Sequence, residues 1–239
     1  MNTALIFAGG TGVRMNSRSK PKQFLELHGK PIIIYTLEHF QFHKDIDNII
    51  VVCLEEWIPE LRILTERYQI NKVTQIVPGG KTGHDSIMHG LKAISLSAKD
   101  DDIILIHDGV RPLITEKLIT DNIESVKKYG TAITVEPAKE SVIHSMDGKT
   151  VDHEPDRNQI YVAKAPQSFL FRQVYDAYCR AEAENVPKTI DTSHLYSQLK
   201  IPMHMVLSTK NNMKITDPAD FYIFRALYEA YENEQIFGL

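Results

Sequence analysis

Cysteine is scarce: the 239 residues include two, Cys53 in the apolar run NIIVVCLEEW and Cys179 in YDAYCRAE. They lie far apart with no metal or redox spacing. This excludes a disulfide framework and a cysteine-built metal centre, and it reads as two free thiols in a reducing compartment. Long hydrophobic runs are missing too, since no window reaches the roughly 18 apolar residues of a membrane span. The opening MNTALIFAGG has neither the basic leader nor the apolar length of a signal peptide. A cytoplasmic protein without membrane insertion is expected. Nor does charge of one sign dominate: 27 Lys and Arg against 31 Asp and Glu leave a net charge of -4. That balance argues against a whole-surface nucleic-acid binder, so no nucleic-acid partner is expected and any anion site must be local. Internal repeats, low-complexity tracts and linkers are also lacking.

What is present is enough chain for one large α/β core and too little for two independent ones, so a single domain over 1–239 is expected. Residues 3–8, TALIFA, form a short continuous apolar run ending at Gly9-Gly10, as a buried first strand does when it delivers the chain to a ligand-binding turn. PIIIYTLEHFQF then reads as a helix with Pro31 at its first position and Ile34, Leu37 and Phe40 on one face. The pattern continues as a strand at 48–54, a helix at 59–70, a strand at 73–80, a helix at 86–95, a strand at 102–112 and a helix near 115–128. Such alternation predicts an α/β fold with a mostly parallel, twisted sheet and helices on both faces. Ligands of such sheets sit beyond the carboxyl ends of the strands.

After a strand at 131–138, the stretch 139–169 breaks the alternation. Asp147-Gly148 is a hairpin turn signal between two short β-prone runs, so this stretch reads as a protruding β-arm, the insertion itself covering about 139–160. An amphipathic helix at 170–184, a strand at 203–208 and a terminal helix opened by Asp217 and Pro218 complete the chain.

The turn AGGTGVRMNSRSKPKQ admits three readings. A dinucleotide fingerprint needs spaced glycines, but Gly9, Gly10 and Gly12 are tightly grouped and position 14 is arginine. A P-loop needs four residues before a Gly-Lys-Ser/Thr, which is not there. The third reading is a nest of backbone N–H groups around a triphosphate, approached by Arg14, Arg18, Lys20 and Lys22. Four cations so close together are a solvated surface patch in many proteins. The apolar strand before them and PKQFLEL after them favour the phosphate site.

The segment AGGTGVRMNSRSKPKQFLELHGKPIIIYTLEHF resembles the opening signature of the sugar- and polyol-phosphate cytidylyltransferases, a family that includes 2-C-methyl-D-erythritol 4-phosphate and ribitol 5-phosphate enzymes. The part A-G-G-x-G-x-R-M is shared by many nucleotidyltransferases, whereas P-K-Q-F/Y-L followed by G-K-P is narrower. The likeness continues in order through HDGVRPLI, DRNQIYVAKAPQSF and NMKITDPADF, nearly the whole chain. It implies a Rossmann-like, GT-A-like nucleotidyltransferase fold. The implied enzyme joins a phosphomonoester to the α-phosphate of CTP and expels pyrophosphate, by positioning and electrostatics with no covalent intermediate.

By this resemblance Ala8, Gly9, Gly10 and Gly12 hold the nucleotide phosphates, while Arg14, Lys22 and Lys214 act on the α-phosphate and the leaving group. Gly80 and Ser86 belong to the cytosine and ribose stretch. Asp108 matches the family's magnesium-linked aspartate, and one hard oxygen ligand suits Mg²⁺, which keeps several waters. His107 beside it reads as a packed residue, because an incoming phosphate is already ionised and needs no base. Arg111 supports Asp108 or the acceptor phosphate. Where the family has an arginine before Ser86, Gly83 stands here, leaving Lys81 or His84 to take over that role.

The acceptor side departs further. The usual V-P-x-x-D-T-x-K becomes VEPAKESVIH, with Glu140 and Ser141 at the Asp-Thr positions and Ile143 at the lysine position, and the threonine of Q-T-P-Q is Ala165. SMDGKTVDHEPDRNQIY is closer to the ribitol-phosphate branch. Arg157 matches an acceptor-phosphate arginine on an arm that in relatives reaches the neighbouring subunit, which implies a homodimer with shared sites. Asp191 matches an aspartate near the acceptor. The expected partners are therefore CTP and a small phosphorylated polyol, with a CDP-polyol feeding a surface polymer such as teichoic acid or capsule. Methylerythritol phosphate and isoprenoid synthesis form the alternative. Arg14, Lys22, Asp108 and Lys214 are all present, which argues against a binder that has lost turnover, and the glycine spacing argues against a nicotinamide dehydrogenase.

Overall fold

The computed structural model describes residues 1–10 and 20–237; Gly12, Arg14 and Arg18 lie outside the described residues. The chain runs as β1 (Asn2–Ala8), a small pair β2 (Glu26–Leu27) and β3 (Lys30–Pro31), α1 (Ile32–Phe42), β4 (Asn48–Cys53), α2 (Ile58–Arg67) and β5 (Val73–Pro78). It continues through α3 (Gly83–Ile94), β6 (Ile103–Asp108), α4 (Glu116–Tyr129), β7 (Thr131–Pro137), β8 (Tyr161–Leu170), α5 (Phe171–Ala183), α6 (Thr192–Gln198), β9 (Met205–Leu207) and α7 (Pro218–Phe237). Among the described residues the main sheet has seven strands in the order β5-β4-β1-β6-β8-β7-β9.

The continuous apolar runs are strands buried on both faces, and the twofold alternation divides each between two cores. On one face Ala4, Ile6 and Ala8 of β1 join Ile49, Val51 and Cys53 of β4 against α1, α2 and α4. On the other, Leu5, Ile50, Val52, Ile104 and Ile106 meet α3, α5 and α6. A third cluster packs Phe224 of α7 against Tyr35, Val110 and Ile215, closing the end of the sheet where the sequence expects a packed terminal helix. No helix among the described residues is long and apolar enough to cross a membrane.

The sheet is mixed. β1, β4, β5 and β6 pair in parallel, as do β7 and β9, but β8 runs antiparallel to both β6 and β7. Sequence reading folds residues 161–169 into the arm, and this is corrected: they form a central strand. Pro166, Gln167 and Ser168 disguise it as a turn, yet Gln167 and Ser168 are buried. Their polar groups are satisfied, since Ser168 Oγ donates to Asn122 Oδ1 at 2.9 Å and Gln167 Oε1 accepts from the Ser193 N–H at 2.9 Å. Helix α6 is likewise unanticipated. Its signal is Asp191, whose carboxylate caps the first turn by accepting the His194 N–H at 2.9 Å. Two helix starts shift: Pro31 is the cap of α1 and not its first residue, and α3 begins at Gly83 behind a Thr82–Asp85 capping box.

The arm leaves the sheet after β7. Asp147 closes its tip by accepting the N–H groups of Lys149 and Thr150, each at 2.8 Å. The flanking runs pair only through a bridge between His144 and His153 among the described residues, so the arm is a loop with a hairpin tip and not two strands.

Gly109, just past β6, donates its N–H to Phe7 O at 2.8 Å, and an added Cβ would lie 2.8 Å from that same backbone oxygen. G109A is expected to destabilise the fold by about 1–3 kcal/mol. The measurement is urea unfolding, with a lower midpoint at unchanged slope.

Candidate active site

The carboxyl ends of β1 and β6 open onto one cavity of about 580 Å³, where a parallel sheet places its ligands. Ala8, Gly9 and Gly10 form one side and Asp108 and Arg111 another; Lys22, Gly80, Ser86, Asp191 and Lys214 complete the predicted residues on its wall. Chain folding thus unites positions from both ends of the sequence. Glu140, Ser141 and Arg157 do not line this cavity: they are exposed on the arm, where Arg157 Nη1 donates to Lys139 O at 3.3 Å.

Asp108 is the electrostatic hub. Lys214 Nζ lies 2.8 Å from Oδ1 and Arg111 Nε 2.8 Å from Oδ2. Burial pushes the carboxyl pKa up, but the charges and hydrogen bonds of Lys214 and Arg111 more than reverse this and hold it well below the usual carboxylate range. Arg111, itself buried, also donates from Nη1 to Asn212 O at 3.1 Å. It stands beside Asp108, one of the two partners the sequence reading gives it, and lines the cavity as well. Asn212 was not anticipated. Its side-chain amide donates to Ala165 O at 2.7 Å and so clips the segment carrying Lys214 onto β8.

His107 is fully packed, with its ring 5.2 Å from that of Phe40. Burial pushes its imidazole down to about 3 from an ordinary 6.5, so it is neutral at physiological pH. It is a core residue and not a base, as the sequence reading expects.

The narrow P-K-Q-F signature has a local cause. Pro21 leads into a single 3₁₀ turn at Lys22–Phe24. Gln23, buried, donates from Nε2 to Ala8 O at 2.5 Å, and Phe24 stacks on Trp57 with centroids 4.6 Å apart. The two residues after Lys22 are thereby locked, and Lys22 reaches Gly10, whose added Cβ would meet its Cε at 3.5 Å.

On the opposite wall the Gly80 N–H donates to Ser86 Oγ at 3.0 Å, and Ser86 Oγ donates to Thr82 O at 2.9 Å. A Cβ at Gly80 would stand 2.3 Å from Asp85 Cβ, so only glycine allows this turn to fold over the start of α3. Of the two substitutes for the missing arginine at Gly83, Lys81 lines the cavity and His84 does not. His84 is buried, its ring 4.7 Å from that of Tyr178, and burial lowers its pKa.

Among the described residues no three His, Cys, Asp or Glu side chains gather as a metal-binding group. One partly exposed carboxylate on the cavity wall fits magnesium, which is commonly held by one or two carboxylates with water and phosphate oxygens. Each Asp108 oxygen retains a lone pair beyond its hydrogen bond.

The family model of IspD, 2-C-methyl-D-erythritol 4-phosphate cytidylyltransferase, matches residues 2–230. The chain is 46% identical over 239 residues to ribitol-5-phosphate cytidylyltransferase of Streptococcus agalactiae, covering 100% of both. It is 38% identical over 229 residues to 2-C-methyl-D-erythritol 4-phosphate cytidylyltransferase of Clostridium botulinum, covering 95% of this chain and 97% of the other. Among solved structures, 4-diphosphocytidyl-2C-methyl-D-erythritol synthase from Anaerococcus prevotii is similar with a TM-score of 0.82 at 28% identity, over 96% of each chain.

His107 generates a pH expectation. Between about 3 and 6.5 the unfolded chain binds a proton that the folded chain refuses, so stability falls as pH drops through that window. The slope is up to about 1.4 kcal/mol per pH unit. Urea unfolding of wild type and H107L at pH 6 and pH 5 measures it, with the H107L slope expected to be shallower by about 1 kcal/mol per unit.

Proposed function

The chain belongs to the IspD family of cytidylyltransferases, and from that premise we propose that it transfers the cytidylyl group of CTP to D-ribitol 5-phosphate, giving CDP-ribitol and pyrophosphate. A CTP-dependent cytidylyltransferase acting on a polyol or sugar phosphate is the common ground of the family match and the fold. The choice of ribitol rests on one observation: the 46% identity to a ribitol-5-phosphate enzyme runs the full length of both chains. It is supported by the loss of the methylerythritol pattern at Glu140, Ser141 and Ile143.

In this reading an oxygen of the acceptor phosphate attacks the α-phosphorus of CTP. The new P–O bond forms as the bond to the β-phosphate oxygen breaks, and its electron pair leaves with pyrophosphate. The acceptor phosphate arrives ionised, so no base is needed, in keeping with a neutral, packed His107. The work is to gather anions and stabilise added charge. Ala8, Gly9, Gly10 and Gly12 hold the phosphates. Arg14, Lys22 and Lys214 meet the α-phosphate and the leaving group, while Gly80, Ser86 and Lys81 hold the nucleoside side. Asp108 sets the position of Lys214 and would hold a magnesium ion, which would supply positive charge to offset the charge that builds up on the phosphates.

The 139–160 arm is read as an insertion in one catalytic domain and as the contact between two copies. It carries Val142, Ile143, Met146 and Val151 exposed, an apolar surface fit for a symmetric partner. In such a homodimer Arg157, Glu140 and Ser141 would serve the neighbouring site, and Asp191 would meet acceptor hydroxyls. The product would feed a surface polymer such as teichoic acid or capsule.

Pyrophosphate release from CTP and Mg²⁺ with D-ribitol 5-phosphate and 2-C-methyl-D-erythritol 4-phosphate in parallel tests the acceptor. Turnover is expected with ribitol phosphate; turnover only with methylerythritol phosphate, the substrate named for the Clostridium relative, would overturn the choice and place the protein in isoprenoid synthesis. K22A and K214A are expected to lower kcat about 10²- to 10³-fold while CTP binding weakens far less. Equal losses in both would make them ordinary binding residues.

A further inference from the structure

The cavity wall carries one further cation, Lys164, that the nucleotide site does not use. On β8, Lys164 Nζ lies 3.0 Å from Glu136 Oε2, with both side chains largely buried. The other Glu136 oxygen pairs with Lys139 Nζ at 2.5 Å. Hydrogen bonds from Lys139 and Lys164 outweigh burial and hold the Glu136 carboxyl below its usual range. Two ammonium groups thus share one carboxylate, and the trio keeps a net positive charge. Lys164 uses one of its three donors on Glu136.

Its place in the sheet gives this charge a role. β8 is registered against β6 with Ile106 opposite Gln167. Lys164 lies past that last pair, on the stretch of β8 that lines the same cavity as Asp108 and Lys214. The nucleophile of the reaction is itself a phosphate, and it must stand next to the α-phosphate it attacks. Placing a second dianion beside a nucleotide requires a cation that the nucleotide does not already occupy. The arm gives Ile143 where the related pattern has lysine, and Ile143 is exposed outside the cavity.

We propose that Lys164, poised by Glu136 and Lys139, binds the phosphate of the acceptor and supplies from β8 the cation that the arm lacks at Ile143. This rests on the reading of the chain as a polyol-phosphate cytidylyltransferase but not on which polyol it takes, because both candidate acceptors present the same phosphate. Glu136 competes with the incoming anion for the Lys164 ammonium.

The experiment is steady-state pyrophosphate release from CTP and Mg²⁺ by wild type, K164M, K164R and E136Q with each of the two acceptors. K164M is expected to raise the acceptor KM about tenfold or more while the CTP KM changes less than about twofold, and K164R to restore much of the loss. E136Q, which releases Lys164, is expected to move the acceptor KM in the opposite direction, downward. An unchanged acceptor KM in K164M, or parallel losses in K164M and E136Q, would reduce the trio to a structural ion pair and overturn the proposal. Wild type inactive with both acceptors would overturn the functional reading itself, a separable result.

Discussion

Everything at the open end of the sheet depends on one carboxylate held between two cations that arrive from different parts of the chain. Asp108 ends β6, Arg111 follows it within a turn, and Lys214 comes from the segment before α7. Removing a carboxylate from water is costly unless its lone pairs are matched, and here both oxygens are matched by charged donors. Loss of either cation would leave one carboxylate oxygen without its charged donor. The pair geometry therefore does two things at once: it ties the terminal segment to the sheet, and it presents an ammonium group at a fixed point over the cavity floor.

The legible part of this architecture was the part governed by period and local punctuation. β1, β4 and β6 announce themselves as continuous apolar runs, and α4 runs close to its expected bounds because Thr115 caps it and Gly130 ends it in the left-handed conformation. The hidden part was governed by distant partners. β8 contains Pro166, Gln167 and Ser168, residues that sequence rules assign to turns; they sit in a strand because Asn122 on α4 and Ser193 on α6 satisfy their side chains. No local pattern reports a hydrogen bond accepted by a residue 46 positions away. Helix α6 could have been found from its Asp191 cap followed by Leu195 and Tyr196, but at seven residues it gives too short a period to read.

The site divided in the same way. Lys22, Asp108 and Lys214 were legible through family motifs whose physical reason the fold supplies: Gln23 bonded to Ala8 and Phe24 stacked on Trp57 anchor the turn that carries Lys22. Asn212 and Lys164 were not legible, because each acts through a contact across the sheet. The nucleoside wall shows a related limit. Sequence alone offers Lys81 and His84 equally for the place left by Gly83, whereas the helical repeat of α3 turns His84 into the core against Tyr178 and leaves Lys81 on the cavity side.

The central position of β8 also dictates the order in which this protein can become itself during synthesis. The parallel half of the sheet, β5-β4-β1-β6, is complete once residue 108 has emerged, but its β6 edge is unpaired until the antiparallel strand at 161–170 arrives. β7 has no neighbour before then either. A nascent chain must therefore carry the open β6 edge for some 50 residues of elongation, about several seconds at ordinary ribosome speeds, and an unpaired β7 for about the second half of that time. The charged pair over the cavity closes later still, at Lys214. Competence to hold its ligands is then acquired only after the scaffold on which it rests has already been made.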